Sequence, residues 1–119
     1  NAPQPIGPYN QGVKFGNLLF ISGQIALQAD GTSLIGRSIE EETHQVMKNI
    51  ISILGKADLE LDNVLKISIF MKDLSLFSKV NETYGCYFDT DTAPARETVE
   101  VNQLPKKANI EMSIIAGIE

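Results

Sequence analysis

Residues Leu18-Leu19-Phe20-Ile21-Ser22-Gly23-Gln24-Ile25 read LLFISGQI. On a strand, alternate side chains point to opposite faces, so Leu18 and Phe20 share one face and Leu19 and Ile21 the other. Both faces are apolar, which marks a strand covered on both sides. The fold must therefore place a layer on each face of the sheet that holds this strand. Just upstream, Val13 to Phe15 reads as a second strand, joined to the first by a turn at Gly16-Asn17. Ala29-Asp30-Gly31 reads as the next turn.

Ser38 to about Ala57 is the clearest helix. Ile39, Thr43, Val46/Met47, Ile50, Ile53/Leu54 and Ala57 recur at helical spacing. Ser38 and Glu41 form a capping box, and Glu40 to Glu42 suit the positive helix end. His44 falls between the apolar positions, among Glu42, Gln45 and Lys48, and reads as part of a solvated face. Val64 to Met71 is a strand with Leu65, Ile67, Ile69 and Met71 assigned to one face. A second helix is expected from about Ser75 to Phe88, striped by Phe77, Val80, Tyr84 and Phe88. Cys86 lies off that stripe and reads as an inert packing cysteine. Arg96 to Asn102 and Ala108 to Ile118 read as a strand pair joined through Gln103-Leu104-Pro105-Lys106-Lys107.

The order of two strands, helix, strand, helix and two strands gives a single α+β domain over 1–119, a mixed sheet with two helices on one face. Two helices cover one side only. Leu18 or Leu19, Phe70 and Ile115 put apolar groups on the other side, and another copy of the chain is the simplest cover.

Composition narrows the chemistry. The formal charge of −5 and a pI near 4.8 argue against general nucleic-acid binding, which relies on Lys and Arg neutralising phosphates. One cysteine excludes an internal disulfide and a cysteine-based metal site, and one histidine leaves no zinc cluster. No apolar run approaches the ~20 residues that span a bilayer. No signal peptide is visible, but the start at Asn1 without a methionine leaves room for a missing short leader. Cytoplasm is the default expectation, since the sequence does not reveal its source.

On the 96–102 strand, Arg96, Thr98, Glu100 and Asn102 oppose Val99 and Val101. On the last strand, Asn109, Glu111 and Ser113 oppose Ile110, Met112 and Ile114. If the apolar faces meet the helices, Arg96 and Glu111 both point to the uncovered side. There they could form an ion pair between copies. They could also form a small acidic-substrate site, with Arg as a planar fork for carboxylate and Glu holding or deprotonating a water. The strands alone leave both open.

Six short motifs stand in one order along the chain: Pro5-Ile6-Gly7-Pro8-Tyr9-Asn10-Gln11-Gly12; Ser22-Gly23-Gln24-Ile25; Asn81-Glu82-Thr83-Tyr84 with Tyr87-Phe88; Pro94-Ala95-Arg96 with Val99-Glu100-Val101; Leu104-Pro105-Lys106; and Ile110-Glu111. Together they resemble the reactive intermediate/imine deaminase (RidA, YjgF) family, also called the L-PSP endoribonuclease family, almost end to end. The resemblance implies a chorismate-mutase-like fold and a homotrimer with sites in clefts between subunits. It implies hydrolysis of 2-aminoacrylate or 2-iminobutanoate to a 2-keto acid and ammonia, with no metal and no cofactor. By the same resemblance Arg96 binds the substrate carboxylate and Glu111 positions the attacking water. Tyr9, Ser22, Gly23, Asn81 and Thr98 line the pocket.

Beside these functional readings stand plainer ones. Tyr9 could plug a subunit contact, Ser22 and Gly23 could serve close packing, and Asn81 could be a solvated helix residue. This chain departs from the family in having Glu97 and Thr98 where many relatives have serine and cysteine, Ser113 for a second glutamate, and Asp58 for the glycine that ends the first helix. Two other functions compete. Single-stranded RNA cleavage would need a basic groove and stacking aromatics. A non-catalytic trimer binding small carboxylates would use the same cleft without turnover.

Overall fold

The computed structural model describes residues 10–28 and 38–118. The expected turn at 29–31 and Tyr9 lie outside them. Seven regular elements appear in chain order: β1 (Gly12–Phe15), β2 (Leu18–Gln24), α1 (Ile39–Lys56), β3 (Val64–Met71), α2 (Phe77–Gly85), β4 (Ala95–Glu100) and β5 (Ile110–Gly117). The strands form one mixed sheet in the order β1-β2-β5-β3-β4. Only β3 and β4 run parallel; the other pairs are antiparallel.

The expected pairing of the last two strands does not occur, because β4 lies beyond β3 and β5 is inserted between β2 and β3. The reason is the connection. A helix between successive strands returns the chain in the same direction, so β3-α2-β4 closes as a parallel crossover. The segment after β4 turns through Pro105–Lys107, where Lys106 and Lys107 are left-handed, and it carries the chain back across the sheet.

Helix α1 starts where its cap predicts: the Ser38 hydroxyl accepts from the Glu41 N–H at 3.1 Å. It ends as the Leu59 N–H bonds back to the Leu54 carbonyl at 2.9 Å. Asp58 takes φ 59° there, the conformation for which glycine is the cheaper residue. Its apolar stripe and that of α2 meet one sheet face, enclosing Val46, Met47, Ile50, Leu54, Ile67, Ile69, Met71, Val80, Ile110 and Met112. Helix α2 is shorter than expected, stopping at Gly85, although Phe88 still packs on Tyr84 with ring centroids 4.8 Å apart.

The assignment of Leu65 to the buried face fails. The register of β3 against β5 shifts between Val64 and Lys66. Val64, Ile67, Ile69 and Met71 face the helices while Leu65 is 52% exposed. The second sheet face carries Val13, Phe15, Phe20, Leu65 and Val99, all exposed, with Phe70 and Ile115 half-buried. Nothing else in the described chain covers it. No helix among the described residues is long and apolar enough to cross a membrane.

Candidate functional site

Residues paired across strands share a face, so the register fixes where Arg96 points. Arg96 pairs with Ile67 and Thr98 with Ile69, and both isoleucines face the helices. Glu97 and Val99 pair with Ser68 and Phe70 on the open face. The expectation that Arg96 shares the open face with Glu111 is therefore overturned. It assumed that Val99 and Val101 meet the helices. In this edge strand Val99 lies on the open face and is 43% exposed.

Arg96 is instead received by one stripe of α2. Phe77, Asn81 and Tyr84 recur at i, i+4 and i+7, which brings them onto one helix face. The Arg96 Nη1–H donates to Asn81 Oδ1 at 2.7 Å. The guanidinium carbon lies 4.9 Å from the Tyr84 ring centroid and 5.4 Å from that of Phe77, within cation–π reach. Burial pushes the Tyr84 phenol up, with the Arg96 charge pulling the other way. Asn81 engages one guanidinium nitrogen, and the rest of the fork keeps donors suited to a planar carboxylate.

Two open clefts flank this arginine. One, of about 540 Å³, is bounded by Leu74, Phe77, Arg96 and Thr98. The Thr98 hydroxyl is enclosed there and finds no hydrogen-bond partner. The other, of about 370 Å³, includes Asn81, Tyr84, Phe88, Pro94 and Arg96. Phe77, Tyr84 and Leu74 were not singled out as site residues from the sequence. The first two read there as part of an apolar helix stripe, Tyr84 also closing the Asn81-Glu82-Thr83-Tyr84 motif, and their spacing from Asn81 carried the signal.

Glu111 lies on the open face, opposite Phe70 in the neighbouring strand. It is half-buried, and burial alone raises its carboxyl above the usual carboxylate range. Its partner in close packing is Gly23. A Cβ placed on Gly23 would stand 2.5 Å from Glu111 Oε2 and 2.7 Å from its Cδ, so only glycine admits the carboxylate there. Gly23 occupies a register shift between Ile21 and Gln24, where three steps along β2 match two along β5. Ser22 beside it is tied into the fold: its N–H and hydroxyl both donate to the Gln11 carbonyl, at 3.0 and 3.3 Å. The close-packing reading thus holds for Gly23, while Ser22 is held by its hydrogen bonds to Gln11.

The structure therefore gathers the predicted residues into two groups. Arg96, Asn81 and Thr98 form one on the helical side of the sheet edge. Ser22, Gly23 and Glu111 form the other, with the Gly23–Glu111 contact on the opposite face. Asn81 is not merely a solvated residue, since it holds Arg96. Ser113, opposite Ser68, shares the open face with Glu111. His44 is exposed as expected but its Nδ1 meets the Tyr87 hydroxyl at 2.6 Å, and Glu42, read as solvated, is buried. Cys86 is an exposed free thiol rather than a packing residue.

The Endoribonuclease L-PSP family profile matches residues 1–118. A RutC family protein of Pyrococcus horikoshii is 45% identical over 116 residues, 98% of this chain and 91% of that one. Among solved structures, the Rid family protein YyfA of Yersinia pestis superposes with a TM-score of 0.94 at 43% identity, covering 99% of this chain and 94% of its own. The YjgF gene product of E. coli gives 0.91 at 38% identity, covering 100% and 94%. E. coli TdcF, solved with bound serine, gives 0.91 at 33% identity, covering 99% and 94%. On the strength of the motifs, the fold and these likenesses, the chain belongs to the RidA/YjgF family, the L-PSP family of endoribonuclease-like proteins.

Proposed function

We propose that this protein hydrolyses small 2-imino and 2-enamino acids, such as 2-iminobutanoate and 2-aminoacrylate, to 2-keto acids and ammonia. We further propose that the site is shared between copies of the chain in a homotrimer. One observation carries the reading: Arg96, with guanidinium donors left over from Asn81, and the half-buried Glu111 lie on opposite faces of one sheet. A second copy laid against the apolar open face would bring its Arg96 group to Glu111. Family membership supports a Rid-type or endoribonuclease-like role in general. The serine bound to TdcF supports a ligand with an α-carboxylate and a nitrogen on the next carbon.

In this scheme the free donors of Arg96 take the substrate carboxylate, which fixes the orientation of the C=N carbon. Glu111 accepts a proton from a water that attacks that carbon and passes a proton to the nitrogen. The resulting carbinolamine breaks its C–N bond, leaving keto acid and ammonia. A carboxyl raised by burial suits both transfers near neutral pH. Backbone groups near Gly23 and at Thr98, beside Arg96, help place the water and the substrate.

The RNA-cleaving reading follows from the family's other description, but a net charge of −5 supplies little of the electrostatic attraction that strand binding needs. The deciding experiment follows ammonia and keto-acid release from freshly generated 2-iminobutanoate, with parent and Arg96→Ala side by side. Acceleration by the parent alone supports the proposal. Equal rates with buffer for both, while a single-stranded RNA is cleaved, would replace it with the nuclease. Equal rates with carboxylate binding retained would leave a binding trimer.

A further inference from the structure

We infer that α1 carries a two-point clamp, Glu42 and Asn49, that sets the Glu111 carboxylate over Gly23, making both buried residues positioning residues of the reaction. The inference rests on the role of Glu111 proposed above.

The two residues stand seven positions apart, two turns of helix and about 10.5 Å along one face. Both are almost wholly buried, at 4% and 1% exposure. The Glu42 carboxylate accepts from the Asn109 backbone N–H at 3.1 Å and from the Asn109 side-chain amide. Asn109 precedes Glu111 by two residues. The Asn49 side-chain amide donates to the carbonyls of Ile25 and Leu27, at 3.1 and 3.0 Å. Ile25 follows Gly23 by two residues. The helix thus grips the chain two residues from each member of the Gly23–Glu111 contact. Gln45, between them, donates its amide to Asn49 Oδ1 at 3.0 Å and so fixes which way the Asn49 amide faces.

The gripped segments also pack on each other. Ile25, Leu27 and Ala108, with Leu104, form a small apolar cluster separate from the main core. Ala26, between Ile25 and Leu27, and Ile110, between Asn109 and Glu111, are buried in the main core, and the clamp adds polar holds on the residues that flank them. A buried carboxylate and a buried amide are poor choices for stability alone, since apolar groups of similar shape avoid their desolvation. Their value lies in placement. Glu111 touches the Gly23 backbone too closely for even a methyl group, and a shift near 1 Å at a reacting centre is worth roughly a hundredfold in rate.

The test uses the full assembled chain. Glu42→Ala, Glu42→Gln and Asn49→Ala are compared with Ile50→Val, a core truncation on the same helix. All are assayed for iminobutanoate hydrolysis below their melting temperatures. The expected result is a kcat loss of about tenfold or more for the alanine variants. Glu42→Gln, which keeps one acceptor, should fall between them and the parent. KM should change less than kcat, because Arg96 lies on the other face, and Ile50→Val should leave kcat almost unchanged. A second readout needs no turnover: in carbon-13 NMR the loosened Glu111 carboxyl should titrate at lower pH than in the parent. Clamp variants that keep parental kcat and parental Glu111 titration, while Glu111→Gln is inactive, would overturn the inference. A fully active Glu111→Gln would instead remove the role of Glu111, and the NMR titration would still decide whether the clamp places it. Should the alanine variants fail to fold, Glu42→Gln carries the decision.

Discussion

Gly23→Ala tests the half of the site that Glu111 occupies. The new Cβ would stand 2.7 Å from Glu111 Cδ and 3.1 Å from its Cγ, where carbon atoms pack best near ~3.5 Å. The carboxylate must therefore retreat by roughly 0.8 Å, and swinging it off its rotamer costs about 0.5–1.5 kcal/mol. Gly23 does not have a positive φ, so alanine also gains about 0.4–1 kcal/mol by restricting the unfolded chain. These nearly cancel, and stability should move by less than about 1 kcal/mol. Activity should not be spared. If Glu111 holds the attacking water as proposed, a displacement of this size predicts a loss near a hundredfold in kcat, about 2.7 kcal/mol of barrier. The assay pairs denaturant unfolding with initial rates of keto-acid release. In a Glu111→Ala background the same substitution should change the rate little, since the partner it displaces is gone. A Gly23→Ala protein with near-parental turnover would refute the placement of catalysis at Glu111. So would an equal loss in both backgrounds.

Further outcomes follow from the same geometry. Arg96→Lys removes the planar fork and should raise KM about ten- to a hundredfold, with Asn81→Ala raising it several-fold through a misaimed guanidinium; parental KM for both in saturation kinetics would remove the clamp role of Arg96. Glu111→Gln should stabilise the protein at pH 8 but not at pH 4. The folded carboxyl is raised by burial, so the favourable folded-state protonation is present at low pH and lost as pH rises through the folded value. Unfolding curves showing the same gain at both pH values would contradict that sign. Phe20→Asp, on the open sheet face, should turn the proposed trimer into monomers in sedimentation, with native circular dichroism and no deaminase activity; a fully active monomer would refute a shared site.

Elements with a complete local signal were legible in the sequence. Ser38 with its acidic first turn placed α1, and two-sided apolarity at Leu18 to Ile21 announced apolar side chains on both sheet faces. The errors arose where tertiary context decides. Whether Val99 or Arg96 faces the helices depends on how far the helical layer reaches across the sheet, which no alternation within one strand reveals. The shift beside Leu65 inverts a parity that sequence can only extrapolate. Glu42 shows the same limit in reverse: a glutamate in an acidic first turn reads as solvated until the strand that it binds is in place. Strand alternation singles out Arg96 and Glu111, and the motifs supply the roles proposed for them. Their separation onto two faces required the register.

The placement of these two groups has a consequence for inheritance. If each working centre takes Arg96 from one chain and Glu111 from another, a chain lacking Arg96 and a chain lacking Glu111 are each inactive alone. Where they meet in a mixed trimer, one interface joins the intact Arg96 of the second to the intact Glu111 of the first. Two null alleles of this gene should then rescue each other in a heterozygote, and two alleles damaged on the same sheet face should not.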